Sequence, residues 1–227
     1  MVFNDDSFIR EVNEELRSDQ MKSAWHRFGR YVIAAAVLIV LGTAAKVAYE
    51  YWDENQSSGT GDQFLAAMKL ADENKSDEAL AALAKLEKDG HGAYPVLARM
   101  RAATVQAQKG DTAAAVAAFE AIGKDQAVPE AVRDAAKIRA GWLLIDNGTY
   151  EQVSAAVEEL AIPASAFRHS AREALGLAAY KAGNMAQARQ WFQAIADDVA
   201  SPRNVANRAQ MMLDNITASG KAPAAQG

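Results

Sequence analysis

The sequence predicts an all-α protein, with one N-terminal helix of membrane-spanning length followed by a series of antiparallel helix pairs. Three observations carry this expectation. Tyr31 to Ala45, YVIAAAVLIVLGTAA, is an unbroken stretch of low-polarity side chains without a charge. Half the chain is hydrophobic yet only 7% is aromatic, because alanine supplies much of the total, and high alanine favours helices that pack closely. Beyond the stretch, apolar residues follow helical spacing broken by glycine or proline, and no strand-like alternation occurs.

The first element is an arm, residues 1–30. Phe8, Ile9, Val12 and Leu16, then Met21, Trp25 and Phe28, describe an amphipathic helix running toward the apolar stretch. Adsorption at the lipid interface, aided by Lys22, Arg27 and Arg30 near anionic headgroups, is the favoured reading. Docking to a cytoplasmic or membrane partner is the sharper alternative.

The second element, residues 31–52, contains 22 residues from Tyr31 to Trp52, and about 20 mostly apolar residues suffice to cross the hydrocarbon core. Lys46 and Glu50 fall in the last turns, where a lysine can snorkel to the headgroups. Trp25, Phe28 and Tyr31 flank one end and Tyr49, Tyr51 and Trp52 the other, as an aromatic belt does. A buried helix of a soluble protein competes, but fifteen residues without a charge is unusual for one. Cleavage as a signal peptide near Gly42-Thr43-Ala44-Ala45 also competes. The preceding arm of 30 residues with six acids is unlike a short basic leader, so an uncleaved anchor is expected. Arg17, Lys22, Arg27 and Arg30 precede the segment, whereas Lys46 follows beside Glu50, Asp53 and Glu54. The positive-inside rule then puts the N-terminus in the cytoplasm and the large domain across the membrane, in the periplasm of a bacterium. The absence of cysteine suits an oxidising compartment and excludes a lipid-modified N-terminal cysteine.

Residues 53–61 follow, and Asn55 to Gly61 (NQSSGTG) has the composition of a flexible linker. Residues 62–217 form the expected domain, and 218–227 an expected disordered tail without apolar periodicity. From Thr60 onward 18 Lys/Arg oppose 20 Asp/Glu, a balance that leaves no electrostatic footprint for nucleic acid.

Within the domain the sequence repeats. Gly110, Gly148 and Gly183 mark equivalent turns 38 and 35 residues apart, and Asn74 takes the same place 36 residues before the first. Asparagine can adopt the left-handed conformation that glycine otherwise supplies. Seven residues before the turn stand Ala103, Gly141 and Gly176, small enough for close helix approach. Five residues after it stand Ala79, Ala115, Val153 and Ala188, and nine after it Leu83, Phe119, Val157 and Phe192. The small residues permit tight antiparallel crossing, and the large ones fill the space between repeats.

This pattern resembles the tetratricopeptide repeat, a helix–turn–helix of about 34 residues whose stacked copies form a right-handed α-solenoid. ALGLAAYKAGNMAQARQWFQAIADD is the clearest copy. The proline usual near the repeat's end is displaced here to Pro129, Pro163 and Pro202. The stretch Arg203 to Ile216, with Val205, Ala209, Met212, Leu213 and Ile216, resembles a solvating cap. The whole arrangement, from FIREVNEELRSDQMKSAWHRFGRY through the anchor to the repeats, is similar to the ancillary subunits of the bacterial Sec translocon (YfgM type) in their alphaproteobacterial form. That resemblance implies association with Sec channel subunits and with a membrane-anchored periplasmic prolyl isomerase. It also implies a chaperone-like role toward unfolded clients at the inner membrane.

No catalytic, cofactor or metal constellation is expected. His26, His91 and His169 lie far apart, in no metal-ligand spacing, and read as surface or capping residues. A cysteine nucleophile is absent, and no serine lies in a nucleophile elbow. Glu158-Glu159 and Asp197-Asp198 read as solvated charge at helix ends, and the glycines punctuate helices rather than cradle a phosphate. Neither a small-molecule substrate nor nucleic acid is expected as a partner.

The candidate sites are therefore surfaces. In tetratricopeptide solenoids the first helices of successive repeats line a groove. Aligned on the turn glycines, Leu97, Met100 and Thr104, then Ala135, Ile138, Trp142 and Ile145, then Leu177 and Tyr180 occupy it. This set is apolar for a solvent-facing groove, and such a patch marks a binding site. The alternative is that another helix of the chain, Arg203 to Ile216, covers it. The expected function is thus a membrane-tethered protein-interaction module ancillary to Sec, with an envelope scaffold for division or cell-wall machinery as the second reading.

Overall fold

The computed structural model describes residues 5–220, and among them the regular structure is entirely helical. The chain divides into two units, Met1–Gln56 and Ser57–Gly227.

The first unit is formed by α1 (Asp5–Asp72), whose last turns from Ser57 belong to the second. The side chains of Phe8, Ile9, Val12, Leu16 and Met21 lie outside the described residues, as do residues 221–227 of the expected tail. α1 is long and apolar enough to cross a membrane, and none of its apolar window is buried within the protein. A helix satisfies its own backbone, which hydrocarbon demands. The polar side chains inside the stretch are also accommodated locally. Thr43 donates its hydroxyl to the Ile39 and Val40 carbonyls, each at 2.9 Å. Lys46 pairs with Glu50 at 3.4 Å, one turn away.

In the second unit the helices are α2 (Ser76–Asp89), α3 (Tyr94–Gln108), α4 (Thr112–Lys124) and α5 (Glu130–Asn147). There follow α6 (Tyr150–Val157) with a 3-10 turn Glu158–Leu160, α7 (Arg168–Lys181), α8 (Met185–Ala196) and α9 (Arg203–Ala218). They group as four described pairs: the end of α1 with α2, α3 with α4, α5 with α6, and α7 with α8. α9 packs on α8 and reaches α7.

The turns follow from local chemistry. Asp111 and Asn184 cap α4 and α8 by accepting the Ala114 and Gln187 N–H groups at 3.1 Å. Asn74, Gly110 and Gly183 have φ of 62°, 92° and 79°, the left-handed region that ends a helix. The third turn differs. Gly148 is extended at φ −120°, and a reciprocal box between Thr149 and Gln152 starts α6 instead. Its glycine is required for space, because a Cβ there would lie 3.0 Å from the Leu144 carbonyl oxygen. Pro129 and Pro202, displaced from the usual repeat position, stand immediately before α5 and α9, where a helix tolerates proline.

The core is built from the repeated positions. Ala67, Ala103, Gly141 and Gly176 are buried on the first helices against Leu83, Phe119, Val157 and Phe192 on the second. A Cβ on Gly176 would lie 2.8 Å from the Phe192 ring, and one on Gly141 would collide with Val157. Close approach, not turn geometry, therefore fixes these two glycines.

Asn55 to Gly61 is helical rather than a flexible linker. Its last residues are held by packing that their composition conceals. Thr60 is buried, and Gly61 leaves room for the Tyr94 hydroxyl, whose ring meets Phe64 at 5.9 Å. The helical domain thus begins several residues earlier than residue 62.

Candidate protein-interaction face

Residues spaced by four and three along the first helices share one face. On α3 these are Leu97, Arg101 and Thr104, and on α5 Ala135, Arg139 and Trp142. Polar contacts stitch the rows together. Arg101 meets Asp72 of α1 at 3.1 Å, and Arg139 donates to the Thr104 hydroxyl at 3.3 Å. Lys181 donates to the Ile145 and Asp146 carbonyls at 2.8 and 2.6 Å, placing a cation on the C-terminus of α5.

The expected groove residues separate into three environments. Leu97 and Trp142 are open to solvent, 43% and 38% exposed. Met100, Thr104, Ala135 and Ile145 are half-buried, with Met100 beside the core shared by α3, α4 and α5. Ile138 does not belong to the groove. It is buried against Ala171, Ala174 and Leu175 of α7, because the next repeat's first helix stacks on that side of α5. Leu177 and Tyr180 pack into the cluster that α9 completes through Val205, Met212 and Leu213. The Tyr180 hydroxyl donates to Asn215 Oδ1 of α9 at 2.7 Å. Leu65 of α1, 63% exposed, was missed by sequence reasoning. Its signal was available: it stands nine residues before Asn74, as Arg101 and Arg139 stand nine before their turn glycines.

Several charges outside this face tie neighbouring elements together, and others pair locally. Asp198 accepts from Arg168 Nε at 2.8 Å, from Arg172 at 3.3 Å and from the Ala200 N–H at 3.0 Å. His169 Nε2 lies 2.9 Å from the same carboxylate. Arg168 and the Ala200 N–H hold the Asp198 carboxyl far below the usual carboxylate range. His169 is buried in this cluster, not a surface or capping residue, and Asp198 is not simply solvated. Asp197 takes the Gln193 amide, Glu159 takes Lys137, and Glu158 takes the Ser154 hydroxyl. Glu173, 4% exposed, receives both arms of Arg208 from α9 at 2.6 and 2.8 Å, which raises the Arg208 pKa. A hollow of about 500 Å³ lies between α5 and the loop before α7. Its Lys137 is tied to Glu159 and its Arg133 to the Val128 carbonyl, so they do not converge on the space. Among the described residues no His, Asp and Glu group is assembled to hold a metal ion.

The flanks of the apolar stretch are likewise built. Arg30 donates to the Tyr31 hydroxyl at 3.1 Å and sits 4.9 Å from its ring centre, and Arg27 is 5.8 Å from that of Phe28. Lys22 and Tyr51 are exposed, and the Tyr49 and Trp52 rings are 6.3 Å apart.

A family model described as a tetratricopeptide repeat-like domain matches residues 22–218, taking in both the apolar stretch and the helix pairs. Domains of this kind typically mediate protein–protein interaction. No curated protein and no solved structure matches the chain. With most of its length inside the family match, and with its helix pairs repeating as the family's do, the protein belongs to the tetratricopeptide repeat-like domain family.

Proposed function

We propose that this is a single-pass inner-membrane protein whose periplasmic repeat domain binds other proteins beside the Sec channel. In this reading it links the channel subunits to periplasmic chaperones, a membrane-anchored prolyl isomerase among them, and meets unfolded clients as they emerge. The observation that carries the binding role is the open face of α3 and α5, where Leu97 and Trp142 stand in solvent, within a family of interaction modules. Burying such side chains against a partner is worth about 1.5–3 kcal/mol each. The tether is supported by the unburied apolar window of α1 and by its locally satisfied polar groups. The orientation is supported by Lys22, Arg27 and Arg30 on one flank, and the Sec association by the resemblance of the arm, anchor and repeats.

Crosslinking in intact membranes tests the role. Recovery of Sec channel subunits together with unfolded periplasmic proteins is expected. Recovery of division or cell-wall proteins alone would replace this reading with an envelope scaffold. A C-terminal reporter active only outside the cytoplasm should be active; an inactive one would overturn both.

A further inference from the structure

We infer that the domain edge carrying Ile162 and Val199 rests on the surface of the membrane in which the chain is anchored. This rests on the tether proposed above and adds a second point of attachment to it. In the repeat domain the first helices all start, and the second helices all end, at one edge. The linking residues 90–93, 125–129, 161–167 and 197–202 lie along that edge. The chain enters the domain there too, with Ser57 Oγ 3.9 Å from where a Cβ on Gly92 would stand. Trp52, the last aromatic flanking the apolar stretch, is five residues before Ser57. Even fully extended, that connection spans at most about 18 Å. Connectivity therefore keeps the Ser57 end of this edge within reach of the bilayer.

Two large apolar side chains project from the last two linking segments. Val199 is fully exposed and Ile162 is 54% exposed. The position in the loop does not require this, because Val128, which like Ile162 precedes a proline, is buried in the core. Nor are the tips loose. Arg172, buried on α7, donates to the Ala161 carbonyl at 3.0 Å and to the Asp198 carboxylate at 3.3 Å, so one side chain fixes the residue before each tip. Arg168 adds the Ser165 carbonyl and Asp198 to that hold. The tips thus stand on neighbouring, preset loops, and seating them among headgroups costs little ordering. Charge neither draws nor repels them. Glu159 is paired with Lys137, Asp198 lies among cations, and the exposed Asp197 and Arg203 bracket the last loop. The occupant is therefore lipid, reached by apolar insertion. Two such side chains alone bind a bilayer weakly, but the tether gives them a high effective concentration.

The chain has no cysteine, so single cysteines can be labelled cleanly. The full chain is reconstituted in phosphatidylcholine vesicles with a fluorophore on Ala200→Cys, beside Val199, or on Ala182→Cys, exposed in the turn at the opposite edge. A spin-labelled phosphatidylcholine is the quencher. Quenching is expected at 200 and not at 182, and adding phosphatidylglycerol should change it little. Ile162→Asp with Val199→Asp should abolish the quenching at 200 and leave the melting temperature unchanged, since both side chains are exposed. No quenching at 200, equal quenching at 182, or quenching that survives the double substitution would overturn the inference and leave the tether intact. Quenching that requires phosphatidylglycerol would overturn it in favour of charge. Blue-shifted emission at 200 without lipid quenching would assign the edge to another protein and overturn it too. If the labelled chain does not float with the vesicles, the tether fails and the inference falls with it.

Discussion

Equivalent positions on the first helices meet different fates in the middle and at the end of the array. On α3 and α5 the outward row stays open, with Leu97 and Trp142 in solvent and Arg139 without a carboxylate partner among the described residues. On α7, Leu177, the counterpart of Trp142, and Tyr180, the counterpart of Ile145, pack into the cluster that α9 completes, and the inward row changes chemistry. Where the second and third repeats use Met100 and Ile138 to receive the next first helix, the fourth uses Glu173 and clamps Arg208 of α9. The difference teaches that a short array is closed by specific polar docking of its last helix, while binding surface is kept for the middle.

The largest effect should come from removing what both regions share, the large side chain between paired helices. Phe192→Ala should cost about 3–5 kcal/mol, read as a large fall in melting temperature, because Gly176 closes on that ring. A small loss would mean that α7 and α8 collapse together after truncation. Next, Glu173→Ala should cost about 2 kcal/mol and expose α9 amides to hydrogen exchange ahead of those in α5. The cost is moderate for a broken buried pair because the Arg208 side chain is 46% exposed and can reach water. Uniform exchange across the domain would contradict a separately docked cap.

The turns offer a smaller contrast. Gly110→Ala should cost about 1 kcal/mol through its positive φ alone, since nothing lies within 4 Å of the added methyl. Gly148→Ala is a test of space, not of backbone conformation. Because the crowding Leu144 carbonyl oxygen belongs to the α5 backbone, it should cost at least as much as Gly110→Ala; a milder loss would show that Leu144 and Gln152 move aside.

Acid acts on the end of the array through Asp198. Asp198 has its pKa lowered in the folded state, so the folded protein holds fewer protons than the unfolded chain between the two values. The stability that the Asp198 carboxylate contributes is therefore complete above the ordinary carboxylate range and lost as pH falls below it. Asp198→Asn should melt below the parent at neutral pH and converge on it in acid. A constant difference at all pH values would show that the carboxylate's charge is not what holds the cluster.

The repeat itself was legible because its determinants are local and periodic. A turn residue, a small residue seven before it and a large one nine after it mark the buried positions of each pair, although the large residues close on the small ones within a repeat rather than filling the space between repeats. What stayed hidden depends on partners distant in sequence. Asn55 to Gly61 has linker composition, but Tyr94 packs on its end. Asp198 looks solvated until α7 brings two arginines and a histidine to it. Ile138 shares an apolar helix surface with Trp142, and only the stacking of α7 decides that one is core and the other open.

The claim that the middle repeats carry an open binding face is tested most directly by Leu97→Ser with Trp142→Ser, measured for both thermal melting and crosslinking to Sec channel subunits in membranes. The account predicts a melting temperature close to that of the parent and crosslinking strongly reduced. A melting temperature far below the parent's would make the two side chains core, and unchanged crosslinking would place the interaction elsewhere; either result contradicts the account.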